Sequence, residues 1–272
     1  MTIRPIRAVS TWSLHRALGR FAAPGSAIDG GPFLKQDQVT SRRPLLDLVP
    51  EFAPHGYRTV QICHFHLESR DPAYLGSMGT TLHEQGIEVD MLLIDEGDLT
   101  DPNVDRQFAW YDEWLDAAET LGARRARIGA GRKTPTPELL RQSGERLAEL
   151  ASRHPNVRVV TENWLETTPD AESMLAVLDA ADGAIGLLVD LGNWKGSEKY
   201  AELAGIASRA ESCHAKCHFT EDGPDEMDFR RSLGILRDAG FDGPLALIYD
   251  GPDPDEWTGL DREWQIVESV WA

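Results

Sequence analysis

Apolar and polar positions along this chain repeat in a fixed order. A short apolar run ends in a polar or charged side chain, and a segment with apolar positions three and four apart follows. The first kind of run reads as a buried strand and the second as an amphipathic helix. Strands are predicted at Ile6 to His15, Tyr57 to His66, Ile87 to Asp95 and Ala123 to Gly129. The fifth ends at Glu162, the sixth at Asp190 and the seventh around His214 to His218; the eighth covers Gly243 to Asp250. Within the second strand, alternation puts Ile62, His64 and His66 on one face.

Helices fill the intervals. They are predicted over Pro44 to Ala53, Asp71 to Gln85, and from Asp101-Pro102 to Gly122. Further helices run from Thr136-Pro137 to Arg153, from a Thr168 cap with Pro169 in first place, and over Ser197 to Ala207, Asp228 to Ala239 and Leu260 to Trp271. The cap-then-proline pairs and the closing glycines at Gly86, Gly122 and Gly240 mark their ends. Phe108, Trp114, Leu115, Ala118 and Leu121 form the apolar stripe of the third helix. Trp110 and Tyr111 flank it and read as packing.

Strict alternation through eight units, with no glycine-rich phosphate fingerprint after the first strand, favours a (β/α)8 TIM barrel over a doubly wound sheet. The 272 residues suit one such α/β domain spanning 1–272, and no linker composition divides them. A long stretch rich in Gly, Pro and Ser follows strand one, centred on Gly30-Gly31-Pro32. It fits either a lid over the site or a plain excursion.

The net charge of −18 opposes partnership with nucleic acid or an anionic membrane surface. Three cysteines (Cys63, Cys213 and Cys217) have no disulfide spacing, which points to a reducing cytoplasm. No apolar run is long enough to span a bilayer, and the start carries no signal core. Cys213, His214, Cys217 and His218 have the look of a zinc knuckle. Strand alternation opposes it, because the cysteines face away from the histidines and should pack under helices.

Polar residues at the carboxyl ends of successive barrel strands converge on one site. Glu162, Asp190 and His214 sit at three such ends, and together suit a divalent cation with mixed oxygen and nitrogen ligands. Lone carboxylates at strand ends are more often solvated or salt-bridged, so the argument rests on the three together. The tryptophans of Asn163-Trp164 and Asn193-Trp194 suit either a sugar platform or closure of the barrel top, with Trp194 the better candidate for the pocket.

Thr161-Glu162-Asn163, Val189-Asp190-Leu-Gly-Asn193-Trp194, His214-Ala-Lys216 and Gly243-Pro-Leu-Ala-Leu, in this order on the last four strands, resemble the xylose isomerase-like barrels. That family comprises sugar isomerases and epimerases and a zinc endonuclease branch. The resemblance implies that Glu162, Asp190 and His214 hold one divalent metal, Mn²⁺ or Mg²⁺ first, with Zn²⁺ or Co²⁺ as alternatives. It gives Lys216 a role on substrate oxygens, Arg127 a substrate contact, and His66 the analogous place on strand two. It also implies a small carbohydrate substrate and a proton taken next to a carbonyl with Glu162 as base; the sequence leaves a homo- or hetero-oligomer open.

One position departs from that pattern. The family's fourth ligand, a glutamate on strand eight, is replaced by Ile248. Asp250 lies two residues on, where it could ligate, bind substrate or cap the loop. Loss of that second carboxylate leaves three readings: an isomerase or epimerase with another proton donor, a lyase that ends in β-elimination as in C-glycoside cleavage, or a catalytically silent barrel kept for binding or as a partner subunit. The nuclease branch needs more His and Glu ligands and a basic face, which this acidic chain lacks. No phosphate-cradling loop is evident, which favours an unphosphorylated substrate.

Overall fold

In a computed structural model that describes residues 4–19, 23–33, 43–221 and 223–272, eight parallel strands close into a barrel. They are β1 (Ile6–Ser10), β2 (Thr59–Cys63), β3 (Glu88–Ile94), β4 (Arg125–Ile128), β5 (Arg158–Glu162), β6 (Gly186–Asp190), β7 (Ala210–Lys216) and β8 (Pro244–Ile248). The helices are α1 (Leu45–Phe52), α2 (Pro72–Glu84), α3 (Val104–Leu121), α4 (Pro137–Arg153), α5 (Ala171–Ala180), α6 (Lys199–Ile206), α7 (Glu226–Asp238) and α8 (Glu256–Val270). β1 closes on β8 with Ile6 opposite Pro244 and Val9 opposite Leu247. A two-residue antiparallel ladder, Phe219–Thr220 against Gly223–Pro224, follows β7.

Strand pleating divides the core. Val9, Ile62, Leu92, Val159 and Leu245 point outward into the large core shared with the helices. Cys63, Met91, Leu93, Val160 and Leu188 point inward and fill the barrel with Phe65. Cys213 and Cys217 are buried in the outer core, so the helix-side packing expected for them is what is found. Gly144 sits in the middle of α4, where glycine costs helix stability. A methyl group there would strike the Val177 carbonyl oxygen and the Ala180 side chain of α5, so the glycine lets two helices cross closely.

Several boundaries differ from the sequence expectation, each for a local reason. β1 stops at Ser10, whose side chain accepts the Trp12 N–H at 3.2 Å and turns the chain into a short 3₁₀ segment. β2 stops at Cys63, and His64–His66 is also 3₁₀, so alternation no longer governs the two histidines. α3 starts at Val104, because Asp101 is spent in the turn before it, accepting from the Asn103 N–H at 2.7 Å. Asp170 caps α5 by accepting from the Ser173 N–H at 2.8 Å, while the Thr168 hydroxyl donates to the Trp164 carbonyl. α8 begins at Glu256 because Asp255 caps it. The lid expectation falls partly on residues 34–42, outside the described residues.

Candidate active site

The carboxyl ends of the strands surround a cavity of about 290 Å³. Its charged side is built by the pleat of β5, β6 and β7. Glu162 and Asp190 are the last residues of their strands, and Asp190 lies in register with His214. Inward pleating on adjacent strands therefore brings the three side chains together. One ligand atom from each lies within 4.8 Å of the others, and all three residues are buried.

Polar neighbours hold each of them. His214 Nδ1 lies 3.2 Å from Glu162 Oε1 and 3.7 Å from Asp190 Oδ2. Its Nε2 is 2.8 Å from Gln61 Oε1, an acceptor, so that nitrogen carries the proton. Gln61 donates in turn to Asp90 Oδ2 at 2.8 Å and Ser212 Oγ at 2.9 Å. Asp190 Oδ1 accepts from the Gly192 and Asn193 N–H groups at 2.6 and 2.8 Å. The Asn163 amide clamps the Asp190 backbone from both sides, donating to its carbonyl at 3.0 Å and accepting its N–H at 2.7 Å. Glu162 receives Asn193 Nδ2 at 3.1 Å, and Arg127 Nε lies 3.0 Å from its other oxygen. Arg127 also pairs with Asp95, and its guanidinium stacks 4.6 Å from the Trp164 ring.

The electrostatics follow from burial opposed by pairing. Burial pulls the His214 pKa down, but the Glu162 and Asp190 carboxylates outweigh it and raise it to about 9. Burial would raise the Asp190 pKa, yet hydrogen bonding and charge from His214, then Lys216, hold it below the ordinary value. For Lys216, burial is outweighed by Asp250, which lies 2.8 Å away, and the pKa rises.

Two buried carboxylates and an imidazole within reach of one another fit a divalent cation. His214 offers Nδ1 to the centre because Gln61 takes up Nε2, the orientation a metal-ligating histidine needs. Without a cation, the negative pair is balanced by His214 and Arg127. Ile248 lines the cavity, and Asp250 is not among its lining residues. Its two oxygens are held by Lys216 and by Trp12 Nε1, the latter at 2.9 Å, and it is absent from the ligand cluster among the described residues.

The other sequence candidates divide. Arg127 and Lys216 line the cavity with the ligand cluster. His66 does not; it is buried, its Nδ1 bonded to Thr11 Oγ1 at 2.8 Å, and burial lowers its pKa to about 3. The 3₁₀ turn carries it off the inward face. His64 packs edge-on against Trp114, with ring centroids 4.9 Å apart. Trp194 lines a neighbouring depression rather than the central cavity, its indole N–H donating to the Thr168 carbonyl at 3.0 Å. Trp164 takes the cavity place instead. Sequence alone did not single out Ser10, Trp12, Phe33, Asp95 or Asn193 as lining residues. Strand-end parity could have found Ser10 and Asp95; Phe33 comes from the loop and carries no periodic signal.

Comparison with known proteins agrees with the barrel fold. A family model described as xylose isomerase-like TIM barrel matches residues 50–266. No curated protein sequence matches the chain. Among solved structures, the probable 3-DHS dehydratase of Bacillus anthracis, involved in petrobactin synthesis, superposes with a TM-score of 0.67 at 12% identity, covering 97% of this chain and 98% of the other. A xylose isomerase domain protein from Planctomyces limnophilus gives 0.65 at 17% identity, covering 98% and 96%. D-psicose 3-epimerase from Clostridium cellulolyticum H10, solved with D-tagatose, gives 0.62 at 14% identity, covering 97% of each chain.

Proposed function

This chain belongs to the xylose isomerase-like TIM barrel family, and we propose that it is an enzyme acting on a small carbohydrate or keto-sugar by removing a proton next to a carbonyl. The observation that carries the proposal is the buried cluster of Glu162, Asp190 and His214 facing a cavity at the strand ends. The epimerase and dehydratase among similar folds support the substrate class without fixing the reaction.

Glu162, Asp190 and His214 would hold the divalent ion. When bound, such an ion supplies Lewis-acid polarisation of a carbonyl oxygen. Glu162 is the base. Asn193 and the Arg127 guanidinium fix its carboxylate, so it meets the substrate in one orientation. Lys216, charged and tethered by Asp250, contacts substrate oxygens on the same side.

Ile248 weighs against one reaction type. A two-base epimerisation needs a second proton carrier opposite Glu162, and isoleucine carries none. The proposal is therefore a one-base reaction. Glu162 takes the proton, the C–H electron pair becomes a carbon–carbon double bond, and a β-substituent leaves with its own bonding pair, as in a lyase. Return of the same proton to the former carbonyl carbon, with the α-hydroxyl proton passing to the former carbonyl oxygen, is an isomerisation that uses the same base. Ile248 is also the observation that favours a silent barrel. Incubation of Mn²⁺-loaded protein with keto-sugars in D₂O separates the readings. Deuterium at the carbon next to the carbonyl, or loss of a β-substituent, supports the enzyme, and unchanged turnover in Glu162→Ala excludes Glu162 as base.

A further inference from the structure

The two walls of the cavity are chemically unlike. Arg127, Glu162, Asp190 and His214 form one wall on β4 to β7. The opposite wall comes from β1, β2, β3, β8 and the loop after β1. It presents Trp12, Phe33, Cys63, Leu93 and Ile248. The polar groups on that side are already engaged. Asp95 is paired with Arg127, the Ser10 hydroxyl accepts the Trp12 N–H, and the Trp12 indole N–H is spent on Asp250. Trp12 therefore offers hydrocarbon. Phe33 lies nearly parallel to Phe65, with centroids 5.3 Å apart and planes 22° apart, and Trp12 stands edge-on to Phe65 at 6.2 Å.

A free sugar carries hydroxyls around its whole ring. Those turned toward the apolar wall would lose water and find few partners, which weakens binding. A flat apolar group on that side loses nothing and covers Trp12, Phe33 and Ile248. We propose that the substrate has two parts: an oxygen-rich head against Glu162, Asp190 and His214, and an aryl substituent against Trp12, Phe33 and Ile248. The placement of the head rests on the proposed function; the placement of the aryl group rests on the wall alone.

Calorimetric titration of Mn²⁺-treated protein with methyl and phenyl β-D-glucopyranoside tests it, because the probes differ only in the apolar group. The phenyl probe should bind about tenfold tighter or better. Phe33→Ala and Ile248→Glu should each bring that preference to about twofold or less, as a shortened or charged wall requires. Equal affinities for the two probes, no saturable binding of the phenyl probe, or a preference untouched in both folded variants overturns the proposal. A separate Mn²⁺ titration of the same samples tells the two ideas apart. Ion binding without an aryl preference rejects the two-part substrate and leaves proton abstraction standing. An aryl preference without ion binding keeps the apolar subsite and rejects the metal-assisted reading.

Discussion

His214 Nε2 lies 2.8 Å from Gln61 Oε1, across the barrel from a strand separated from it by most of the chain. Gln61 is itself pinned by Asp90 and Ser212, and Asp90 by Arg125. This line of buried groups fixes which histidine nitrogen faces the carboxylates. Gln61→Leu removes the acceptor and frees the ring to rotate or change tautomer. We expect a loss of about 10- to 100-fold in Mn²⁺ affinity by calorimetry. Gln61→Glu, which keeps an acceptor, should lose less. Unchanged affinity in Gln61→Leu would remove Gln61 from the site.

The raised pKa of His214 has a signed consequence for stability. Its value in the fold is about 9 against an ordinary 6.5. The imidazolium thus stabilises the metal-free fold fully below about pH 6.5, and that contribution is lost as pH rises through about 9. The metal-free protein should lose thermal stability across that window, and His214→Gln should flatten the decline. Binding an ion at Nδ1 must expel the proton, so Mn²⁺ affinity should rise with pH until about 9. Melting curves and titrations at four or five pH values would show both trends.

Glu263 offers a test away from the site. It is buried on α8, and neither carboxylate oxygen has a hydrogen-bond partner among the described residues. Burial, with a smaller contribution from Asp250, pushes its pKa well above the ordinary value. The fold therefore holds it neutral, whereas the unfolded chain ionises it above about pH 4.5. Its contribution to stability falls as pH rises from there toward the folded-state pKa. Glu263→Gln removes the titration. We expect a melting point roughly 2–4 °C higher than wild type near pH 8 and little difference near pH 5. A lower melting point at pH 8 would show that the carboxylate is needed.

Helix propensity and packing disagree at Gly144. Alanine is the better helix former by about 1 kcal/mol. The added methyl meets the Val177 carbonyl and the Ala180 side chain, and overpacking of this kind typically costs about 1–3 kcal/mol. Gly144→Ala should lower stability in urea unfolding, whereas Gly234→Ala on α7, where nothing lies within 4 Å of the new carbon, should not.

The fold was legible because strand and helix periods survive in the sequence through all eight units. Glu162, Asp190 and His214 were legible because each closes or nearly closes a strand, where pleating alone sets direction. Beyond the last strand residue that rule lapses. His66 and Trp194 were misplaced for this reason: a 3₁₀ turn redirects the first, and the loop after β6 sends the second to the Thr168 carbonyl. Trp164 reaches the cavity through a turn that Leu165 closes with a φ of 67°, which no periodic pattern encodes. Gln61 depends on partners from other strands, and a single sequence does not report those pairings. Ile248 was visible from the start, and its neighbours in the cavity give it its meaning.

The most direct test is electron paramagnetic resonance of Mn²⁺ added to the purified protein, with Glu162→Gln and Asp190→Asn measured beside it. One ion bound per wild-type chain, with binding weakened about tenfold or more in each variant, is the expected result. No bound ion, or an ion held as tightly by both variants as by the wild type, would contradict the assignment of Glu162, Asp190 and His214 as one functional centre.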